Sequence, residues 1–239
     1  MTRLTTSRLL GVTLLLLTVV LLWDLSNFDL PLARLAGTAS GFPWRDNRVL
    51  LLVMHEGPRL LSWLLLFALF MMVRWPLGLL RRLDLLGRLQ LAVTVLAGVV
   101  AVSLIKNISS TSCPWDLAEF GGVARHVSHL AWGVVDGGPG RCFPAGHASA
   151  AFAYLGGWFA LRGAAPATAK RWLVVAGVIG LLLGLGQQWR GAHYMSHTLW
   201  TAWICWTVGL AIDLCVQALR RRRAALTPSR PGPALNVRN

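Results

Sequence analysis

The sequence predicts an all-α, polytopic membrane protein, built as a bundle of six transmembrane helices with an extracytoplasmic interfacial segment. Hydrophobic residues make up 55% of the 239 positions, and the mean hydropathy is +0.58. Charged residues make up 13%, whereas soluble domains carry about a quarter. Because apolar runs recur along the whole chain, with Arg, Gly and Pro between them, the chain is expected to lie in a bilayer.

The first predicted span covers residues 9–23 and follows Arg3 and Arg8. A cleaved signal peptide has a similar charged start and apolar middle. No small-x-small cleavage site follows, so the segment is interpreted as a retained helix. Residues 24–58 are mixed in composition and predict an interfacial segment with short helical pieces and no full span.

Further apolar runs predict the remaining spans. They cover residues 60–80, 89–105, 148–161, 172–186 and 199–219. Arg74 lies near the end of the second span, where its side chain can extend to the membrane surface. The membrane domain is therefore assigned to residues 1–223, and the basic stretch 224–239 is expected to be a disordered cytoplasmic tail.

An even number of spans places both termini on one side of the membrane. Fifteen of the 23 Lys and Arg residues then fall on the side of the termini, and eight fall on the other side. The positive-inside rule therefore predicts cytoplasmic termini in a bacterial inner membrane. Residues 24–58, 106–146 and 187–198 come together on the periplasmic face.

The net charge of +14 raises nucleic-acid binding as an alternative. The basic residues punctuate apolar runs and do not form one face, which disfavours nucleic acid and favours contact with anionic membrane lipid. The twelve tryptophans, many at predicted span ends, are interpreted as interfacial anchors. The sequence carries no prediction of oligomeric state.

Two clusters of basic residues and histidines lie on the predicted periplasmic face, at 141–147 and 190–197. The first ends at the start of an apolar helix, where unpaired N–H groups favour an anion. In the second, His193 and His197 have the spacing of two zinc ligands on a helix, but no third ligand has a suitable position. A phosphate site is therefore preferred, and no metal or other cofactor is predicted.

Three motifs carry these clusters. They are Lys106-x6-Cys113-Pro114, Pro144-Ala145-Gly146-His147 and Gln187-x5-His193-x3-His197. They resemble Lys-x6-Arg-Pro, Pro-Ser-Gly-His and Ser-Arg-x5-His-x3-Asp of the type 2 phosphatidic acid phosphatase (PAP2) superfamily of integral lipid phosphatases. Order, spacing and placement on the predicted helices match the family from about residue 60 to residue 219.

The motifs depart from the family pattern at several positions. Cys113 and Ala145 replace the Arg of the first motif and the Ser of the second. Gln187 and His197 replace the Arg and the Asp of the third. The family's functional residues that are retained are Lys106, His147 and His193.

The resemblance implies a metal-independent double displacement. His193 would attack phosphorus and form a phosphohistidine, while His147 would protonate the leaving alkoxide and then activate water. Lys106 and the N–H groups near Gly146 would bind the phosphate oxygens.

Two arginines are candidates for the missing motif cations, because Arg190 follows Gln187 by three residues and Arg141 precedes the second motif. His197 and Gln187 are expected to support the site from behind. The acid that orients the nucleophile has no obvious replacement, and the alternatives are Asp116, Glu119, Glu56 or a backbone carbonyl. The residues interpreted as ordinary loop positions are His55, Arg125, His126 and His129.

Cys113 and Cys142 each stand shortly before a proline in one predicted periplasmic loop. Because the periplasm is oxidising, a disulfide between them is predicted. It would close a loop of about 30 residues and stabilise the fold by ~3.5 kcal/mol on the chain-entropy model. It would also hold Lys106 and His147 near each other.

The preferred function is an integral-membrane phosphatase that hydrolyses phosphorylated lipids, of phosphatidate, polyprenyl or lipid A type, at the periplasmic face. A phosphotransferase on the same scaffold, in which a lipid group replaces water, is the second hypothesis. A non-catalytic lipid-phosphate binder or transporter is the third hypothesis, and it is kept because the motif Arg and Asp residues are missing. The sequence does not specify the headgroup.

Overall fold

The computed structural model describes residues 5–131 and 133–226. Within these ranges every regular element is helical, and β pairing is limited to two isolated bridges. The predicted all-α fold class is therefore confirmed. Five of the described helices are long and apolar enough to cross a membrane, and one further apolar helical stretch is shorter.

The first half of the described chain contains α1 (Thr6–Ser26), α2 (Asp29–Arg34), α3 (Arg48–Leu51), α4 (Gly57–Arg74) and α5 (Leu85–Ile108). The second half contains α6 (Ser149–Phe152), α7 (Gly157–Leu161), α8 (Pro166–Trp189) and α9 (Met195–Leu226). A π-helical turn, Leu52–Glu56, joins α3 to α4, and a 3₁₀ turn, Ala153–Gly156, joins α6 to α7.

Helix bounds differ from the predicted spans most clearly in the second span. This helix begins at Arg48 and ends at Arg74, whereas the span was predicted at 60–80. Residues 48–58, predicted to be interfacial, therefore belong to a membrane-length helix. At the other end of the chain, α9 continues to Leu226, past the predicted start of the tail, and residues 227–239 lie outside the described ranges.

The helix from Arg48 passes Pro58 through its π-helical turn. Proline has no N–H, so the carbonyl of Met54 lacks the donor that an ordinary helix provides. The side-chain amide of Gln187, on α8, donates to this carbonyl at 2.8 Å. The N–H of Gly57 donates to the carbonyl of Leu52, which is the wider spacing of a π turn.

The predicted span 148–161 is the short helical stretch formed by α6, the 3₁₀ turn and α7. Its two ends contact α9 at well-separated points. The N–H of Ala145 donates to the carbonyl of His197, and Arg162 donates to Asp213. Along α9 these two positions are about 24 Å apart. The stretch therefore runs beside α9 from one end of the bundle towards the other.

Helix α5 lies at the centre of the bundle, where Leu91, Ala92 and Val95 are fully buried. A Cβ atom on Gly156 would collide with the side chain of Thr94, so glycine allows the 3₁₀ turn to approach α5 closely. In contrast, leucines on the outer faces of α1 and α4 are exposed, as expected for helices that face lipid.

Helices α1 and α9 pack antiparallel. Near the end of α1, Asp24 accepts a hydrogen bond from the indole of Trp200, which lies near the start of α9. Further back on α1, Thr13 accepts one from Trp206. The two ends of the described chain therefore lie at one end of the bundle. The end of α5, the loop after it and the start of α9 lie at the opposite end.

A buried polar network holds the bundle together at the end that contains the termini. Asp213, which is 4% exposed, accepts hydrogen bonds from Gln90 on α5, Arg162 after α7 and Gln217 on α9. One carboxylate thus joins three parts of the chain. Removing it would take this acceptor from the buried amide of Gln90 and from the partly buried guanidinium of Arg162.

Replacement of Asp213 by Ala is therefore expected to lower the free energy of unfolding by about 3 kcal/mol or more. The matched control is Glu119→Ala, because Glu119 pairs with Arg34 at an exposed site. That change should cost less than about 1 kcal/mol. Thermal unfolding in detergent micelles measures both, and equal losses in the two variants would contradict the prediction.

Candidate active site

A cavity of about 290 Å³ opens at the end of the bundle that lies opposite the termini. The second motif contributes Gly146, His147, Ser149 and Ala150 to its lining. Helix α5 contributes Val99, Ser103 and Lys106, and the π turn with α4 contributes His55, Arg59, Ser62, Trp63 and Leu66. Among the described residues that line the cavity none is acidic, so the cavity favours an anion.

Lys106 and Gly146 lie side by side in this cavity. A Cβ atom on Gly146 would lie 3.7 Å from Nζ of Lys106, so the absence of a side chain leaves the ammonium group close to the backbone. Within the described ranges, Lys106 has no hydrogen-bond or ion-pair partner. A cation without a partner beside glycine N–H groups is a suitable arrangement for phosphate oxygens.

The two motif histidines are in direct contact. Nδ1 of His147 lies 3.2 Å from Nε2 of His193, although the residues are 46 positions apart. His193 is 1% exposed and does not line the cavity, because His147 stands between it and the open space. The structure thus brings a buried imidazole and a cavity-facing imidazole together, and a hydrogen bond joins their ring nitrogens.

Cys142 lies behind the ring of His193. Its sulfur is 3.5 Å from Nδ1 of His193. Two of the carboxylates proposed to orient this ring are engaged elsewhere, since Asp116 accepts from the N–H of Cys113 and Glu119 pairs with Arg34. Among the described residues no carboxylate forms a hydrogen bond or ion pair with His193, and the identity of the orienting group stays a prediction.

Cys113 and Cys142 form a disulfide in the structure, with the sulfurs 2.08 Å apart. The two sulfurs and a nitrogen of His193 lie within 4.8 Å of one another, which is a ligand-like grouping. Because the sulfurs are bonded to each other, neither is the thiolate that a metal ion requires. The bridge instead ties the first motif to the loop that contacts His193.

Arg190 was predicted to bind phosphate, but its side chain is engaged away from the cavity. Nε and Nη2 donate to the carbonyl of Arg45 at 3.0 and 2.7 Å, and Nη1 donates to Oε1 of Gln187 at 3.0 Å. Gln187 in turn holds the carbonyl of Met54. The pair therefore fastens the end of α8 to the segment that leads into α4, which differs from the predicted phosphate contact.

Arg141, the other predicted phosphate ligand, lies on the surface. Its side chain is exposed and does not line the cavity. Its backbone has a φ of 57°, and its N–H donates to the carbonyl of Ser109. The left-handed turn at this position aims the side chain out of the site, because the chain must bend there before the second motif.

His197, at the position of the family's Asp, is fully buried. Its ring packs edge-on against Phe143, Tyr194 and His193, at centroid distances of 5.3, 5.1 and 5.9 Å. Neither ring nitrogen has a hydrogen-bond partner among the described residues. His197 therefore supports the site as a packed aromatic ring, and it does not form the hydrogen bond to His193 that a carboxylate would.

His55 and Arg59 line the cavity, although His55 was interpreted as a loop residue and Arg59 was given no role. The ring of His55 lies 4.2 Å from the ring of His147, centroid to centroid. The signal in the sequence was the spacing of four residues between His55 and Arg59, which places both on one face of a helix just before an apolar run. It was missed because Gly57-Pro58 suggested that the helix began later.

Burial and positive charge act in the same direction on the two motif histidines. Burial, followed by the charges of His55, Lys106 and Arg190, lowers the pKa of His147 to about 3. Burial, followed by the charge of Lys106, lowers the pKa of His193 well below its ordinary value. Both rings are therefore neutral at pH 7, which leaves His193 able to act as a nucleophile.

These features define a helical membrane protein with a cationic cavity that ends in a pair of histidines. The PAP2 superfamily model matches residues 87–221, which is more than half of the chain and includes all three motifs. The chain therefore belongs to the PAP2 superfamily, and this membership indicates phosphatase chemistry on phosphorylated substrates. No curated protein and no solved structure shows a significant match to the chain.

Removal of the disulfide is expected to affect both stability and the site. The double variant Cys113→Ser/Cys142→Ser should unfold with a free energy lower by ~3.5 kcal/mol, because the bridge closes the loop between the two motifs. The control Cys215→Ser removes an exposed free cysteine and should leave unfolding unchanged. Thermal unfolding with and without dithiothreitol measures the effect, and an oxidised wild-type protein that labels readily at both positions would contradict the bridge.

The lowered pKa values give a second prediction. In the free protein, the ring signals of His147 and His193 should show neutral imidazole down to pH 5, because protonation would add charge to a buried, cationic site. NMR of ring carbons in detergent micelles measures the titration, and His147→Gln and His193→Gln assign the signals. Titration of both rings near pH 6.5 would contradict the prediction.

Proposed function

We propose that this protein is an integral-membrane phosphatase that hydrolyses lipid phosphate monoesters through a phosphohistidine on His193. The contact between His147 and His193 beside a cationic cavity carries this proposal, because it pairs a buried nucleophile with a cavity-facing acid. Family membership supports the phosphatase chemistry. The retained Lys106 supports binding of the phosphate at the same point.

The reaction proceeds by two displacements. Nε2 of His193 forms a bond to phosphorus as the bond from phosphorus to the leaving oxygen breaks, and His147, which takes up a proton when the anionic substrate binds, gives this proton to that oxygen. Water then attacks the phosphohistidine and gives a proton to His147, and the bond between nitrogen and phosphorus breaks. Lys106 and the N–H groups around Gly146 stabilise negative charge on the phosphate oxygens.

The rings of His147 and His193 must separate for this reaction. An attacking nitrogen lies about 3–3.5 Å from phosphorus and an acid about 3 Å from the leaving oxygen, so the two nitrogens end roughly 7 Å apart. They are 3.2 Å apart in the structure. His147 lines the cavity, so the ring that moves is His147, and the phosphate takes its place against His193.

The shape of the cavity supports a lipid substrate. From His147 it continues down the membrane-facing helices past Ser62 and Leu66 on α4 and Val99 on α5. The neighbouring outer surface of α4 is apolar and exposed. A phosphorylated lipid can therefore place its headgroup at the histidines while its chains stay in the hydrocarbon region. A water-soluble phosphate ester would leave this apolar part of the cavity unused.

The disulfide supports a periplasmic location of the site. Disulfides form and persist in oxidising compartments, and this bridge lies directly behind His193. The opposite end of the bundle carries the arginines 220–223 at the end of α9, as the positive-inside rule expects of a cytoplasmic face. The proposal therefore retains cytoplasmic termini in a bacterial inner membrane.

The experiment is release of inorganic phosphate by purified protein from phosphatidate, polyprenyl phosphates and lipid A, measured with and without a chelator. Wild-type protein is expected to release phosphate from at least one of them, and His193→Ala should lower kcat by several orders of magnitude. Brief incubation with ³²P-labelled substrate should label wild-type protein but not His193→Ala, because the label resides on that ring.

The matched control is His126→Ala, since His126 is a loop histidine that does not line the cavity. It should retain wild-type activity. Transfer of label to a lipid acceptor in place of water would identify a phosphotransferase. Binding of the lipids without release of phosphate would identify a non-catalytic binder, and either outcome would overturn the hydrolase proposal.

A further inference from the structure

We infer that His55 and Arg59, on the helix that begins at Arg48, form the missing half of the phosphate site, with Arg59 as its cation and His55 as a hydrogen-bond donor. They would donate hydrogen bonds to the phosphate oxygens in place of the arginines that the motifs lack. This inference rests on the proposed function for its catalytic consequence. It adds a fourth sequence element, His-x3-Arg, to the three motifs.

His55 lies close enough to His147 for both side chains to contact one bound phosphate. The two rings lie 4.2 Å apart and are tilted by 49°, so they are neighbours without being stacked. Nδ1 of His55 is buried and has no hydrogen-bond partner among the described residues. A buried polar atom is ordinarily paired. His55 nevertheless lines the cavity beside His147, so a group bound there lies next to its ring.

Arg59 supplies a full positive charge to the same cavity. It lies one helical turn after His55, so the two side chains share a helix face. In the part of the chain that the structure describes, its guanidinium has neither a hydrogen-bond acceptor nor an ion-pair partner. The positive charge of Arg59 also acts on His147, since it is one of the charges that lower the pKa of that ring.

The substituted motif residues hold this helix in place. Gln187, at the position of a family Arg, donates to the carbonyl of Met54, the residue next to His55. Arg190 braces Gln187 and the carbonyl of Arg45. Residues on α8 thus use their hydrogen bonds to position His55. The cationic contacts to phosphate then come from the helix that they hold.

The geometry assigns complementary contacts to the cations of the cavity. Lys106 approaches from α5, beside Gly146. Arg59 lines the same cavity from α4. A tetrahedral phosphate bound there has oxygens for both cations, and the guanidinium can bind two of them at once.

The test uses orthovanadate as the phosphate probe and full-length protein in detergent micelles. Binding of vanadate is measured by calorimetry for wild type, Arg59→Ala, Arg59→Lys, His55→Phe and His55→Gln. Arg59→Ala and His55→Phe should each weaken binding at least tenfold. Arg59→Lys and His55→Gln, which keep a donor, should bind more tightly than Arg59→Ala and His55→Phe respectively. Thermal unfolding confirms that each variant is folded.

Arg48→Ala is the matched control, because Arg48 lies on the same continuous helix, is exposed and does not line the cavity. It should bind vanadate as wild type does. If Arg59→Ala behaves like Arg48→Ala, or if His55→Phe binds like wild type, the inference is wrong. Absence of vanadate binding by wild-type protein would overturn it as well.

Activity separates this inference from the proposed function. Hydrolysis that depends on His193 but not on His55 or Arg59 would retain the phosphatase and reject the inference. Vanadate binding that depends on Arg59, in a protein that hydrolyses none of the lipids, would retain the phosphate site and reject the phosphatase. If both hold, kcat/KM should fall about 10²-fold in Arg59→Ala, as for loss of one stabilising donor.

Discussion

The contact between the rings of His147 and His193 is the constraint on which the site depends. The nitrogens are 3.2 Å apart, and His193 is almost completely buried. A protonated ring in this buried position would lie near Lys106 with no carboxylate to offset its charge, so burial and Lys106 both favour neutral rings. The end of α5, the second motif and the start of α9 must meet at one point to form it, and the disulfide to Cys142 secures that meeting point.

Replaced motif residues have structural roles that explain how the site tolerates their loss. Where the family has an arginine, Cys113 forms a disulfide. Where the third motif has an arginine, Gln187 donates a hydrogen bond to the carbonyl of Met54. Where the third motif has an aspartate, the ring of His197 packs against Phe143 and Tyr194. Each change removes a charge from a low-dielectric region, and each substituted side chain is instead bonded to or packed against its neighbours. The positive charge that remains in the cavity comes from Lys106 and Arg59.

Sequence spacing predicted the all-α class and the meeting of the retained motif residues, because apolar runs indicate where helices end and helix ends decide which loops meet. It misplaced the second helix, which begins at Arg48. Lys106, Gly146 and His147 met in one cavity for this reason. Arg190 could not be placed in the same way, since the direction of a long side chain depends on acceptors such as the carbonyl of Arg45, which no periodicity reveals. Arg59 was hidden because Pro58 resembles a helix start, whereas the π turn carries the helix through it.

Substrate charge links the resting arrangement to the proposed reaction. Burial, followed by the positive groups around His147, lowers its pKa to about 3, so the free ring is a poor proton donor at pH 7. A phosphate monoester brings up to two negative charges to the same cavity, and they act against the surrounding cations and raise this pKa. The phosphate that enters between the rings therefore also promotes the protonated form of His147 that the leaving oxygen needs. A phosphate diester brings only one negative charge, so it raises the pKa of His147 less. The site therefore favours monoesters, whose second charge helps to protonate His147.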